Sequence, residues 1–162
     1  MPDDETRWLS EEEQRAWESI ATLLFRLPGA LETQLQRDSG LTLFEYMVLS
    51  YLSMMPDHTA RMSELARLTN SSLSRLSNVV NRCERRGWIT RRPDPEDARY
   101  TIASLSGEGY EQVVDAAPGH VEAVRHHVID PLTPAQLRTI TAAVDRMRPL
   151  LPNGELPRGR GC

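Results

Sequence analysis

A chain of 162 residues fits one domain, or one compact domain with helical extensions, and is long enough to bury a core. No apolar run is long enough to span a bilayer. The acidic start lacks the apolar stretch of a signal peptide, and Cys83 and Cys162 make neither a disulfide framework nor a zinc pattern, so a cytoplasmic location without a membrane partner is expected. The net charge of −4 argues against nucleic acid only until its distribution is read: residues 61–100 hold nine Arg against five acids, whereas residues 1–60 hold four Arg against eleven acids.

Ser10-Glu11-Glu12-Glu13 reads as a capping box, and Trp17, Ile20, Leu24, Leu27, Leu31 and Leu35 follow it at helical spacing. One long helix is predicted, kinked at Pro28 and ending near Ser39-Gly40. Thr42 and Glu45 form a second capping box, opening a helix that runs to Met55. Arg61-Met62 reads as a short extended piece, Ser63 to Leu68 as a helix of two turns, and Thr69 to Ser72 as a turn that caps the next helix. That helix spans Ser72 to Arg86 and stops at Gly87. Trp88-Ile89-Thr90 and Tyr100-Thr101-Ile102 then suit the two strands of a hairpin whose tip holds Asp97 and Arg99. Ser106 caps another long helix, kinked at Pro118, and Thr133-Pro134 opens a last one carrying Leu137, Ile140, Val144, Met147 and Leu151. Residues 152–162, rich in Pro, Gly and Arg, are expected to be a disordered tail.

The helix from Ser72 to Arg86 separates two faces on a helical wheel. Leu73, Leu76, Val80 and Cys83 fall together as a core face. Opposite lie Ser74, Asn78, Asn81 and Arg85, flanked by Arg75, Ser77 and Arg82. An ordinary exposed face is filled with good helix formers such as Glu, Lys and Gln. Ser, Asn and Arg suit base edges and phosphates instead, although a plain solvated face would also accept them. The hairpin decides between the two, because Arg91 at its base and Arg99 at its tip would carry charge to an adjacent groove. Asp97 is placed to orient the Arg99 guanidinium.

The segment NRCERRGWITRRPDPEDARYTIASLSGEG resembles the MarR family of winged-helix transcription regulators. It carries the helix-turn-helix, the Asp-x-Arg tip at Asp97 and Arg99, and Leu105-Ser106-x-x-Gly109, where the family usually has Leu-Thr. The long first helix ending in GLTLFEY and the two long C-terminal helices extend the resemblance over Ser10 to Leu150. It implies a homodimer, a palindromic double-stranded DNA operator and, often, release by a small phenolic or lipophilic ligand.

The expected fold is therefore mainly α with a small β-hairpin wing: a winged helix-turn-helix at 42–105, flanked by a dimerisation helix at 10–41 and dimerisation helices at 106–151. Apolar stripes on the flanking helices exceed what one reader must cover, which supports pairing across a two-fold axis independently of the resemblance. The expected function is a repressor; the alternative is a winged-helix protein-interaction module that does not read DNA. Trp17, Tyr46 and Met54 are candidate lining for an effector pocket, weighed against plain core packing. His120, Glu122, His126, His127 and Asp130 match no specific zinc signature, so no metal is expected. Cys83 faces the core, where a thiol is usually inert. No enzyme constellation is present, and no cofactor is expected.

Overall fold

The computed structural model describes residues 6–151; the expected tail at 152–162, with Cys162, lies outside the described residues. Six α-helices and three short strands follow in the order α1 (Glu11–Ser39), α2 (Leu43–Met54), β1 (Thr59–Arg61), α3 (Met62–Leu68), α4 (Leu73–Arg85), β2 (Ile89–Pro93), β3 (Thr101–Leu105), α5 (Gly107–Val124) and α6 (Pro134–Met147). The starts are set by local chemistry. Ser10 and Glu13, Thr42 and Glu45, and Thr133 and Gln136 each form a reciprocal capping box, with Pro134 at the start of α6. Pro28 and Pro118 lie inside α1 and α5 without ending them. A π-helical turn, Arg125–Ile129, continues α5, an element that periodicity alone does not announce.

The expected two-stranded hairpin is a three-stranded antiparallel sheet of order β1-β3-β2. Thr59 to Arg61 pairs with Ser104 to Ile102, and Ile89 to Pro93 pairs with Leu105 to Thr101. The short extended piece expected at Arg61-Met62 is this third strand, lying one to two residues earlier at Thr59–Arg61, since three residues are too few to display alternation and fix its bounds. Its role is to staple the wing to the start of α3.

One core joins all these elements except α6. It contains Leu35 of α1, Val48, Leu49 and Leu52 of α2, Leu65 of α3, Leu76, Val80 and Cys83 of α4, Ile89 and Ala103 of the sheet, and Ala116 of α5. Leu73 is a correction: it was expected in this core but is 54% exposed, because it occupies the first turn of α4, beyond the reach of the elements that cover Leu76 and Val80. Two glycines shape the joint between α4, the wing and α5. Gly87, at φ 76, reverses the chain after α4, its N–H donating to the Glu84 carbonyl while Trp88 N–H donates to Cys83. A Cβ on Gly109 would overlap the Trp88 carbonyl oxygen, so the Leu-Ser-x-x-Gly pattern marks where α5 presses onto the base of the wing. Ser106 completes that joint, its Oγ donating to the Gly87 carbonyl at 2.7 Å and accepting from Gly109 N–H at 3.0 Å.

The outer half of α1 and the whole of α6 stand apart from the core. Trp17, Ile20, Leu23, Leu24 and Phe25 are exposed, as are Ile140, Val144 and Met147. No residue of α6 is buried.

Candidate nucleic-acid interface

Helix α4 is held by its apolar face and its first turn. Leu76, Val79, Val80 and Cys83 are buried, and Ser72 Oγ accepts from Arg75 N–H at 3.2 Å. Of the residues expected to read DNA, Ser74, Arg75, Asn78, Arg82 and Arg85 are exposed, while Ser77 and Asn81 are half-buried at the edge of the same face. The face is therefore continuous and accessible, but its arginines are not equivalent. The Arg75 guanidinium lies 4.6 Å from the centre of the Phe44 ring, an arrangement that pre-orients it across the end of α2. Arg85 is exposed and has no ion-pair partner among the described residues.

Arg82 has a second attachment that its position on the wheel does not reveal. Its Nε donates to Glu45 Oε1 at 3.0 Å. Glu45 is 3% exposed, and its other oxygen accepts from Thr42 N–H at 2.9 Å. Burial alone would push the Glu45 carboxyl up, but the Thr42 N–H, the Arg82 guanidinium and the Thr42 hydroxyl outweigh it and hold the pKa below the ordinary value. One carboxylate thus caps α2 and clamps it to α4. A further carboxylate ties α1 to the same place, Glu32 Oε2 accepting from Leu43 N–H at 2.5 Å.

The wing is braced in the same manner. Glu84 of α4 accepts from Arg91 Nε at 3.1 Å and from Arg91 N–H at 3.2 Å, so Arg91 joins α4 to β2 as well as adding charge beside the reader. Asp94, buried, accepts from Arg61 Nε at 2.6 Å and from Glu96 N–H at 2.9 Å, which fixes the turn after β2. At the tip, Asp97 receives the fork of Arg99, Nε at 2.9 Å and NH2 at 2.6 Å. The Arg99 side chain is nevertheless 84% exposed. The pairing with Arg99, first through its guanidinium and then through its backbone N–H, lowers the Asp97 pKa. Asp97 therefore stays ionised and aims a cation away from the body of the protein. Sequence spacing finds Asp97 and Arg99; it misses Glu45, Glu84 and Asp94 as positioning groups because their partners lie on other elements.

The three expected pocket residues are not brought together within this chain. Tyr46 is buried, with its ring 4.5 Å from that of His120 on α5. Trp17 is 53% exposed and lies 18 residues before Leu35, the α1 residue in the Tyr46 core, so about 27 Å away along the helix. Met54 is exposed near the far end of α2. One surface groove of about 540 Å³ is lined by Glu32, Thr42, Phe44 and the α4 residues Ser74, Arg75, Asn78, Val79 and Arg82. A second, of about 550 Å³, runs between α1 and α5 past Gln34, Asp38, Gly119 and His126. Neither contains Trp17, Tyr46 or Met54. Where α1, α2 and α5 meet, Gln34 Oε1 and His120 Nδ1 are buried with no hydrogen-bond partner among the described residues, and burial lowers the His120 pKa. Cys83 lies in the core, its thiol pushed up to about 12 chiefly by burial. Among the described residues no group of three or more His, Cys, Asp and Glu is arranged to hold a metal ion, and no helix is long and apolar enough to cross a membrane.

Known structures share this architecture. Sco3205 of Streptomyces coelicolor, a MarR family transcriptional regulator crystallised in complex with DNA, superposes with a TM-score of 0.85 at 41% identity, over 90% of this chain and 91% of that one. The chain belongs to the MarR family. The family model itself matches residues 39–99, from the end of α1 to the wing tip. A second MarR regulator, AbsC of Streptomyces coelicolor, is 37% identical with a TM-score of 0.83, covering 88% of this chain and 95% of its own. The transcriptional repressor MprA of Escherichia coli strain K12 is 30% identical over 73 residues, which is 45% of this chain and 42% of MprA. The chain thus spans less than half the length of that curated relative. With this membership the architecture is a winged helix-turn-helix whose small sheet forms the wing, and the protein is a MarR-family transcriptional regulator.

Proposed function

We propose that this regulator acts as a homodimer that binds a palindromic operator as a repressor and is released by a small phenolic or lipophilic ligand. The reader spans 42–105, between the Thr42 and Ser106 caps. Ser74, Arg75, Ser77, Asn78 and Asn81 meet base edges and nearby phosphates, Arg82, Arg85 and Arg91 add phosphate contacts, and Arg99, oriented by Asp97, enters the adjacent minor groove. The observation that carries the reading is the exposed Ser-Asn-Arg face of α4 beside the projecting Arg99, in a chain 41% identical to a regulator crystallised with DNA.

Dimerisation is supported by the exposed apolar residues of α1 and α6, which are continuous stripes rather than scattered single residues. A second copy related by a two-fold axis would cover them and set two recognition helices a fixed distance apart. Repression is supported by the named role of MprA. Ligand control is supported by Gln34 and His120, whose buried atoms, unpaired among the described residues, are a feature that calls for a hydrogen-bonding occupant. Tyr46 lies at that junction, whereas Trp17 and Met54 would reach an effector only through the partner copy.

Two measurements test the reading together. Sedimentation of the full chain should give a dimer, and gel shifts on fragments of the source genome should retard a small specific subset. Phenolic and other lipophilic acids should reduce that retardation, with DNA lowering ligand affinity by the same factor. A monomer that retards all fragments alike, or none, would contradict the proposal.

A further inference from the structure

Leu73 is an anomaly on the reading face. It is the first residue of α4 and is 54% exposed, and its neighbours Ser72 and Ser74 are joined hydroxyl to hydroxyl at 3.1 Å. A single exposed leucine is ordinary on a protein surface. This one stands inside an otherwise polar exposed patch, with Ser74 following it and Ser77 one turn further on the same side. It belongs to α4, whereas the exposed apolar stripes that a second copy would cover belong to α1 and α6.

In a recognition helix the N-terminal residues go deepest into the major groove. The apolar group that groove presents is the C5-methyl of thymine, which aliphatic side chains contact. We propose that Leu73 is a specificity-determining residue that packs against the methyl of one thymine in each half-site. This rests on the assignment of α4 as the DNA reader and adds to it an apolar contact beside the polar ones. Ser74 and Ser77 hydroxyls can donate or accept and so discriminate weakly. A branched apolar side chain beside them makes loss of a methyl register as loss of buried area.

The test uses the full-length protein and a genomic fragment that it retards. Each thymine in the protected region is replaced singly by deoxyuridine, which removes the methyl and keeps the Watson–Crick pair. For the wild type, one such replacement per half-site should weaken binding about four-fold, the equivalent of one apolar carbon group left unburied. Leu73→Ala should be insensitive to that replacement while responding to every other position as the wild type does. Leu73→Gln keeps a long, helix-favouring side chain and should also be insensitive; melting of both variants checks that the fold is intact. A wild type indifferent to every replacement, or a sensitivity that persists in both variants, overturns the proposal while leaving DNA reading in place. Failure of the wild type to bind any fragment overturns the DNA reading, and this proposal with it.

Discussion

Replacing Glu45 tests how the recognition helix is held. Its carboxylate is 3% exposed and satisfies two donors on different elements, Thr42 N–H at 2.9 Å and Arg82 Nε at 3.0 Å. Glu45→Ala removes half of a capping box, about 1 kcal/mol, and a charge-assisted hydrogen bond worth about 1.5–3 kcal/mol when shielded. The Arg82 side chain is 43% exposed, so water recovers part of the second contribution. A net loss of about 2–4 kcal/mol follows, equivalent to a Tm lower by roughly 5–15 °C for a chain of this length. Melting should be followed at fixed protein concentration, because a dimer couples stability to association. The double variant with Arg82→Ala should lose less than the sum of the single losses, as expected for residues in contact. The folded pKa of Glu45 is depressed, so this stabilisation is present above its ordinary carboxyl pKa of 4.5 and disappears as pH falls through the lower folded value. A Glu45→Ala protein melting within 2 °C of the wild type, or fully additive losses, would refute the reasoning.

Three other outcomes follow from the same geometry. His120 has a pKa lowered by burial from 6.5, so the unfolded chain takes up its proton first; stability should fall as the pH drops below about 6.5, and His120→Phe should flatten that part of a Tm–pH profile. Cys83, with its thiol near 12, should resist alkylation at pH 8 in a Cys162→Ser protein until denaturant is added, whereas rapid native labelling would contradict its burial. Arg99→Ala should weaken operator binding by about 1–3 kcal/mol in a titration without shifting the melting curve, since its described partner is Asp97 at an exposed tip.

What the sequence made legible is what depends on neighbours in the chain. The capping boxes at Ser10 and Thr42 are contacts between residues three apart, and both form as the spacing predicts. The Asp97–Arg99 fork is similarly local. Its assignment as a wing rests on the hairpin around it. Features that depend on distant partners were hidden. Glu45 and Arg82 are 37 residues apart, Arg61 and Asp94 are 33 apart, and nothing in either local pattern announces the pair. The wheel put Leu73 in the core because periodicity gives direction without saying where the covering elements end. Trp17 and Tyr46 are both plausible pocket lining by residue type, but Trp17 sits in the outer half of the 29-residue α1, whereas Tyr46 lies in the core on α2. The third strand was too short for its pattern to fix its bounds, and only its pairing with Ala103 and its neighbours defines them.

The central claim, that two copies of α4 and its wing read DNA together, is tested most directly by selecting bound duplexes from a randomised library with the full chain. Native mass spectrometry of the selected complex then counts the protein copies. The account predicts an enriched inverted repeat with half-site centres about one helical turn apart and two chains per duplex. It further predicts that changes at Ser74 or Asn78 alter the preferred bases within each half. A library left unenriched, or a single unrepeated site occupied by one chain, would contradict it.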